Sequence, residues 1–337
     1  MKLLRRLQAA LRRRPRGPAV ILMYHRIAVE PLDPWRLCVT PESFAGHLDW
    51  LRAHCRVVPL RQLAGELREG RLVRRSVAIS FDDGYADNLL AAEPLLRERG
   101  LPATFFLTTA TLGAQREFWW DELERLLMRP EALPATLRIR VDGEERSFVA
   151  GRAAAPCDPQ QECRGVPPWE AVAGTRLAFY YQVWDSLRPL EEPARQQALA
   201  QLRAGLDLPE AAGNARRTLT HQEVGQLAGS AIADIGAHSV THAAFSRRTP
   251  EQQRWEMQHS RQELAALLGR EIPGFAYPYG DLAQDSAELA REAGYEFACT
   301  TQEAPVTPAA SAHLLPRVAV EECGARAFAA RVSGLLA

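Results

Sequence analysis

No stretch of this 337-residue chain approaches the roughly 18 consecutive apolar residues that a membrane-spanning helix needs, so no span is expected. Charge of one sign is also missing: Lys plus Arg total 41, as do Asp plus Glu. That balance removes the basic field that marks many nucleic-acid binders, and no nucleic-acid partner is expected. The six cysteines (Cys38, Cys55, Cys157, Cys163, Cys299, Cys323) are scattered, with no CxxC. Cys157 and Cys163 lie close, but two further zinc ligands are not nearby, so free thiols are expected. The start, Met1-Lys2-Leu3-Leu4-Arg5-Arg6, opens like a signal peptide, yet Arg12, Arg13, Arg14 and Arg16 interrupt any apolar core. The expected location is therefore cytoplasmic. Leu3, Leu4, Leu7 and Leu11 share a helical face among arginines, so residues 1–17 read as a basic leader able to make weak contact with an anionic membrane surface.

What is present is alternation. Pro18 to Tyr24, Ser76 to Ser80, Ala103 to Leu107, Ala231 to Gly236, Gly274 to Tyr277 and Tyr295 to Thr301 are short apolar runs of strand length. Leu314 to Val320 reads as one more. Helical patterns separate them, several with legible caps: Thr40-Pro41, Thr220 with Glu223, and Thr249-Pro250 closed by Gly269. Strands alternating with helices imply parallel β/α units, and about seven such units suit a closed or nearly closed barrel. Between Phe118 and about Arg217 the alternation lapses. Residues 131–170 carry many Pro, Gly and charged residues with little periodicity, and two amphipathic helices follow. The expected organisation is a leader 1–17 and a barrel domain 18–337, interrupted by a mixed loop and helical insertion, 121–216.

The chemistry gathers behind the strands. Ser80-Phe81-Asp82-Asp83-Gly84-Tyr85 puts two adjacent carboxylates at a strand exit. Asp-Gly is also ordinary turn chemistry. Other strand exits carry His25, the segment His238-Ser239-Val240-Thr241-His242, and Pro278-Tyr279-Gly280. In a barrel these exits meet on one face. Asp83, His238 and His242 then make a three-ligand metal site with open positions. Ser239 stands where the zincin pattern would need Glu, so that pattern is excluded. One Asp is left to hold the cation and its neighbour to take a proton from the attacking water.

Ser80-Phe81-Asp82-Asp83-Gly84, His238-Ser239-Val240-Thr241-His242 and Tyr277-Pro278-Tyr279-Gly280 resemble, in order and spacing, the first three motifs of the polysaccharide deacetylases, the NodB-homology carbohydrate esterases. The resemblance covers most of residues 18–335 apart from the insertion. It implies an α/β fold of the distorted (β/α)7 barrel type and one divalent metal ion, usually Zn2+. The implied activity is hydrolysis of acetamide groups on N-acetylated amino sugars in a polysaccharide or glycan intermediate. It makes Asp82 the catalytic base, Asp83, His238 and His242 the metal ligands, and Tyr279 the donor of an oxyanion-holding backbone N–H. Two positions depart from the pattern. The Arg usually found two residues before the Pro of the third motif is Ala276 here, and the late Leu-x-His is replaced by Leu315-Pro316-Arg317, with His313 outside the pattern. Some family members acting on poly-N-acetylglucosamine are similar in carrying the proton donor in an early Tyr-His instead. Met23-Tyr24-His25 fits that variant, which makes His25 the general acid and Arg317 the substitute for the missing Arg. A sugar ring calls for an aromatic platform, for which Trp119, Trp120 and Tyr24 are candidates against a core role for the tryptophans. The expected partner is an N-acetylated glycan. The rival readings are a deacylase of a non-polymeric amide or amino sugar, and a carbohydrate-binding protein with a decayed site.

Overall fold

Val20–Tyr24 and Ser76–Phe81 run through the interior with every residue buried, as strands do when a parallel sheet is covered on both faces. They belong to a computed structural model that describes residues 16–114, 117–141, 143–208 and 216–337. The leucine face of the basic leader lies outside the described residues. Two compact units form, one from residues up to 29 with 38–112 and 219–337, the other from 30–37 and 113–218.

Among the described residues the first unit holds an eight-stranded parallel sheet whose main path has seven strands: β1 Val20–Tyr24, β2 Ser76–Phe81, β3 Ala103–Leu107, β4 Ala233–Ala237, β5 Gly274–Ala276, β6 Phe297–Cys299 and β7 Val318–Ala319, with the two-residue strand Arg56–Val57 paired to β2 off that path. From β6 back to β1 each strand neighbours the one before it in sequence, and β7 lies beyond β1. Residues just before β7 reach the far edge as well: Leu315 bridges Cys299 in parallel, while Val318 pairs with Leu22. One irregular segment therefore touches both edges, giving the curled parallel sheet of a distorted barrel. The strand expected over 314–320 is thus real as a closing segment, but regular for only two residues.

Period-two alternation divides the strand residues between two cores. Val20, Leu22, Tyr24, Val77, Ile79, Phe81 and Phe105 pack with Phe44, Leu48 and Leu51 of the helix Pro41–His54. Ala19, Ile21, Ala78, Phe106, Ala276 and Cys299 form the other cluster with Leu60, Leu63, Ala64 and Leu67. Those four are the buried stripe of the helix Leu60–Arg68. The helix starts follow the expected chemistry: Thr40 accepts from Ser43 N–H, Thr220 with Glu223 and Thr249 with Gln252 form capping boxes, and Gly269 closes its helix in the left-handed conformation. All six cysteines are free. Among the described residues no helix is long and apolar enough to cross a membrane.

In the second unit, helices Trp119–Met128, Arg176–Leu187 and Glu192–Gly205 carry most of the buried apolar side chains. An antiparallel hairpin, Thr136–Val141 with Glu144–Val149, stands where an aperiodic loop was expected. Its signal was there: Leu137, Ile139 and Val141 are buried and alternate with exposed Arg138 and Arg140, the period of a half-buried strand. The density of charge hid it.

Candidate active site

β2 ends at Phe81, and the alternation that turns Ala78 inward carries Ser80 and then Asp82 to the same side. Asp82 continues the ladder, its N–H donating to the Tyr24 carbonyl at 3.0 Å. Its carboxylate meets Arg317 in a two-pronged pair, Nη1 to Oδ1 at 2.7 Å and Nη2 to Oδ2 at 2.6 Å. Arg317, wholly buried, also donates to Ser80 Oγ at 3.2 Å and the Thr300 carbonyl at 2.9 Å, and lies over the Phe106 ring. Burial by itself would push Asp82 towards the neutral acid. The positive charge and hydrogen bonds of Arg317, with His238 beside it, outweigh that and hold the carboxyl below its usual range. The guanidinium enters from beside β7, while Ala276 on β5 packs into the inner cluster.

Asp83, His238 and His242 are all buried, with one ligand atom from each lying within 4.8 Å of the others. His238 Nε2 is 3.4 Å and His242 Nε2 3.2 Å from Asp83 Oδ1. Donors about 2.1 Å from a tetrahedral zinc lie about 3.4 Å apart, so these spacings suit a shared small cation. The tautomer suits it too. His238 Nδ1 donates to the Ala276 carbonyl at 2.8 Å, which leaves the Nε2 lone pair for the cation. Two imidazole nitrogens and a carboxylate oxygen form a mixed donor set of the kind Zn2+, a borderline cation, accepts. Among the described residues no other set of three His, Cys, Asp or Glu ligand atoms comes this close. Burial opposes charge on Asp83 too, but the two imidazoles hold its carboxyl well below the ordinary range.

Backbone conformation marks the same place. Asp83 (φ 75°), Ser239 (φ 64°), His242 (φ 57°) and Tyr279 (φ 59°) all occupy the left-handed region, which side-chain-bearing residues enter at a cost and which clusters at functional sites. Gly280, at φ +63°, has no room for a Cβ, which would sit 1.9 Å from Thr301 Oγ1. Hydrogen bonds between loops hold these conformations. Thr108 N–H donates to the Asp83 carbonyl, Thr109 N–H to that of Ser239 and Ala110 N–H to that of Val240. Ser239 Oγ accepts from His242 N–H at 2.9 Å.

Glu256 was not anticipated. It lies on the helix Pro250–Leu268, 5% exposed, and its carboxylate accepts from Val240 N–H at 2.7 Å, Thr241 N–H at 2.9 Å and the Thr241 hydroxyl. It grips the turn between the two histidines. A Glu fourteen residues beyond a histidine pair has no local signature.

His25, half-buried at the exit of β1, acts electrostatically on both Asp82 and Asp83. Tyr279 sits in the turn after β5 with its ring edge-on to His242 at 4.4 Å. Two expectations need correcting. Tyr24 is 0% exposed, stacked on Phe81 and edge-on to Phe44, with its hydroxyl 3.2 Å from His47 Nδ1. It is one residue out of phase with His25, so it faces the helices and offers no sugar a surface. Trp120 is 4% exposed inside the second unit, stacked on Phe118 at 4.3 Å. It is a core ring, as is its neighbour Trp119.

A family model described as polysaccharide deacetylase matches residues 69–133 and 211–298, the two stretches that carry Asp82, Asp83, His238, His242 and Tyr279. Over these two stretches the chain matches the polysaccharide deacetylase family. The chain is 30% identical over 112 residues to a poly-β-1,6-N-acetyl-D-glucosamine N-deacetylase of Staphylococcus epidermidis, covering 29% of this chain and 39% of that protein. Over the first two curated relatives it matches, the chain spans 37% and 39% of their length. Solved structures extend the likeness in fold. Deacetylase PplD of Streptococcus pyogenes superposes with a TM-score of 0.58 at 16% identity, covering 96% of this chain and all of that one. IcaB from Ammonifex degensii superposes with a TM-score of 0.57 at 17% identity, covering 95% and 98%.

Proposed function

We propose that this chain is a metal-dependent hydrolase that removes N-acetyl groups from N-acetylated amino sugars in a polysaccharide or glycan intermediate. The observation that carries the reading is the adjacency of two unlike carboxylates: Asp82 gripped by Arg317, and Asp83 beside two imidazoles. The Staphylococcus epidermidis relative, named for poly-β-1,6-N-acetyl-D-glucosamine, supports the substrate class.

Asp83, His238 and His242 would hold the divalent cation, Zn2+ by the character of the donors. When bound, the cation would polarise a carbonyl and lower the pKa of a coordinated water towards neutrality. Asp82 takes the proton of the attacking water. Arg317 keeps that carboxylate ionised and fixes both its oxygens, at the expense of intrinsic basicity. The Tyr279 backbone N–H donates to the carbonyl oxygen as negative charge develops there. His25 gives a proton to the departing nitrogen as the C–N bond breaks, because an unprotonated amine anion leaves very poorly. The products are acetate and a free amino sugar.

The test is acetate release from a β-1,6-linked N-acetylglucosamine oligomer by zinc-loaded protein and its Asp82→Asn variant. Asp82→Asn should lower turnover by about 10³-fold or more while keeping its metal. Zinc-loaded protein that binds the oligomer without releasing acetate would replace this reading with a decayed binding site. Release from small amides alone would replace it with a non-polymeric deacylase.

A further inference from the structure

Resting on the reading of His25 as general acid, we infer that Asp87 and Asn88 are positioning residues for it. The short segment from Asp82 to Asn88 would then hold both ends of the proton traffic, the base directly and the acid through its backbone.

His25 is the first residue beyond β1, followed by the two-residue strand Arg26–Ile27, which pairs with Cys38–Val39. Asn88 is fully buried and donates from Nδ2 to the His25 carbonyl at 2.7 Å. The same nitrogen lies 3.2 Å from Asp87 Oδ1. Both neighbours are acceptors, so the amide has only one sensible orientation. Asp87 holds the next peptides along: Oδ1 accepts from Ile27 N–H at 3.1 Å, and Oδ2 from Arg26 Nε at 2.9 Å. Arg26 is itself buried, its guanidinium 4.8 Å from the Tyr85 ring centre. The His25 carbonyl and the Ile27 amide are thus both fixed, which leaves the histidine little freedom beyond its own side-chain torsions.

The local helix geometry is unusual at this point. Asn88–Ala92 is a π-helical turn, the wider coil that recurs where a helix accommodates function, leading into the helix Glu93–Arg99. Asn88 opens that turn. Its side chain is directed across to β1 rather than used as a helix cap. A shift of about 1 Å in a catalytic group can cost about 10²-fold in rate. His25, one residue beyond the end of β1, is held against such a shift through its backbone carbonyl.

An acid and a base are separable by leaving group. Hydrolysis of an N-acetyl amide needs a proton delivered to nitrogen, whereas 4-nitrophenyl acetate expels a stable phenolate without one. In zinc-loaded protein, Asn88→Ala and Asp87→Asn should lower kcat/KM for the β-1,6-linked N-acetylglucosamine oligomer by about 10- to 100-fold. Aryl ester cleavage should change by less than about threefold. The imidazole NMR signals of His25 should shift in both variants, a readout that needs no turnover and that Asp87→Asn supplies should Asn88→Ala fail to fold. His25→Ala is the reference. If it lowers both substrates alike, the acid reading fails. If it shows the split while Asn88→Ala and Asp87→Asn do not, and their His25 signals stay unmoved, the positioning role fails and the acid stands.

Discussion

Arg317 and Arg176 are both wholly buried, one in each unit, and their partners differ in kind. Arg176 donates only to backbone carbonyls: Ala153 at 2.5 Å, Leu127 at 3.1 Å, Pro130 at 2.9 Å, Glu131 at 3.3 Å and Ala155 at 2.9 Å. It gathers the end of the helix Trp119–Met128 and two loops around one cation, so it is a structural clasp. Arg317 divides its donors among a carbonyl, a hydroxyl and both oxygens of Asp82. Burial of a charge therefore does not mark chemistry. A guanidinium answered by peptide dipoles organises chain, while one answered by a carboxylate beside a ligand cluster sets the charge of that carboxylate.

Four substitutions put that contrast to work. Arg317→Ala leaves an unpaired carboxylate in the barrel, a loss of about 3–5 kcal/mol of stability. It also frees Asp82 to rise towards the neutral acid, so acetate release should fall by about 10²-fold or more. Arg317→Lys keeps a charge but not the fork, and should recover only part. Activity of Arg317→Ala equal to wild type would remove the distinction between the two arginines. Arg176→Met should act in the opposite sense. Several hydrogen bonds, each worth about 0.5–1.5 kcal/mol net, are lost, lowering the melting temperature while acetate release per folded molecule stays within about twofold. A large selective loss of activity would mean the clasp serves the chemistry. The smallest effect is expected at Glu256, which touches no reacting group. Glu256→Ala should loosen the Ser239–His242 turn and weaken zinc affinity by about 10-fold, measured by competition with a chelator. Unchanged affinity would show that the histidine turn holds itself.

How far the sequence could be read follows from the range of each interaction. β1, β2 and β3 are legible as apolar runs because both faces of each strand are buried. Thr40, Thr220 and Thr249 announce their helices because a cap acts over three residues. Asp82, Asp83, His238 and His242 were legible because each pair sits in one short exit segment. Tyr24 was misread although period two places it opposite His25; its aromatic character outweighed its phase. Glu256 and Asn88 escaped notice because their work is done on backbone atoms of other strand exits, and such bonds leave no spacing to find.

The sequence by itself determined which chemical groups stand at the strand exits: two carboxylates after β2, two histidines after β4, a Tyr-Gly turn after β5 and a histidine after β1. Those assignments depend on neighbours a few residues apart, which local propensity controls. Only the tertiary structure decided what each group faces. It brought Arg317 to Asp82 across 235 residues, turned Tyr24 into the core and set Glu256 behind the histidines. The reason is geometric. A curled parallel sheet juxtaposes strand ends regardless of their separation in sequence, and the parity of each strand, rather than the identity of its residues, selects the side chains that enter the site.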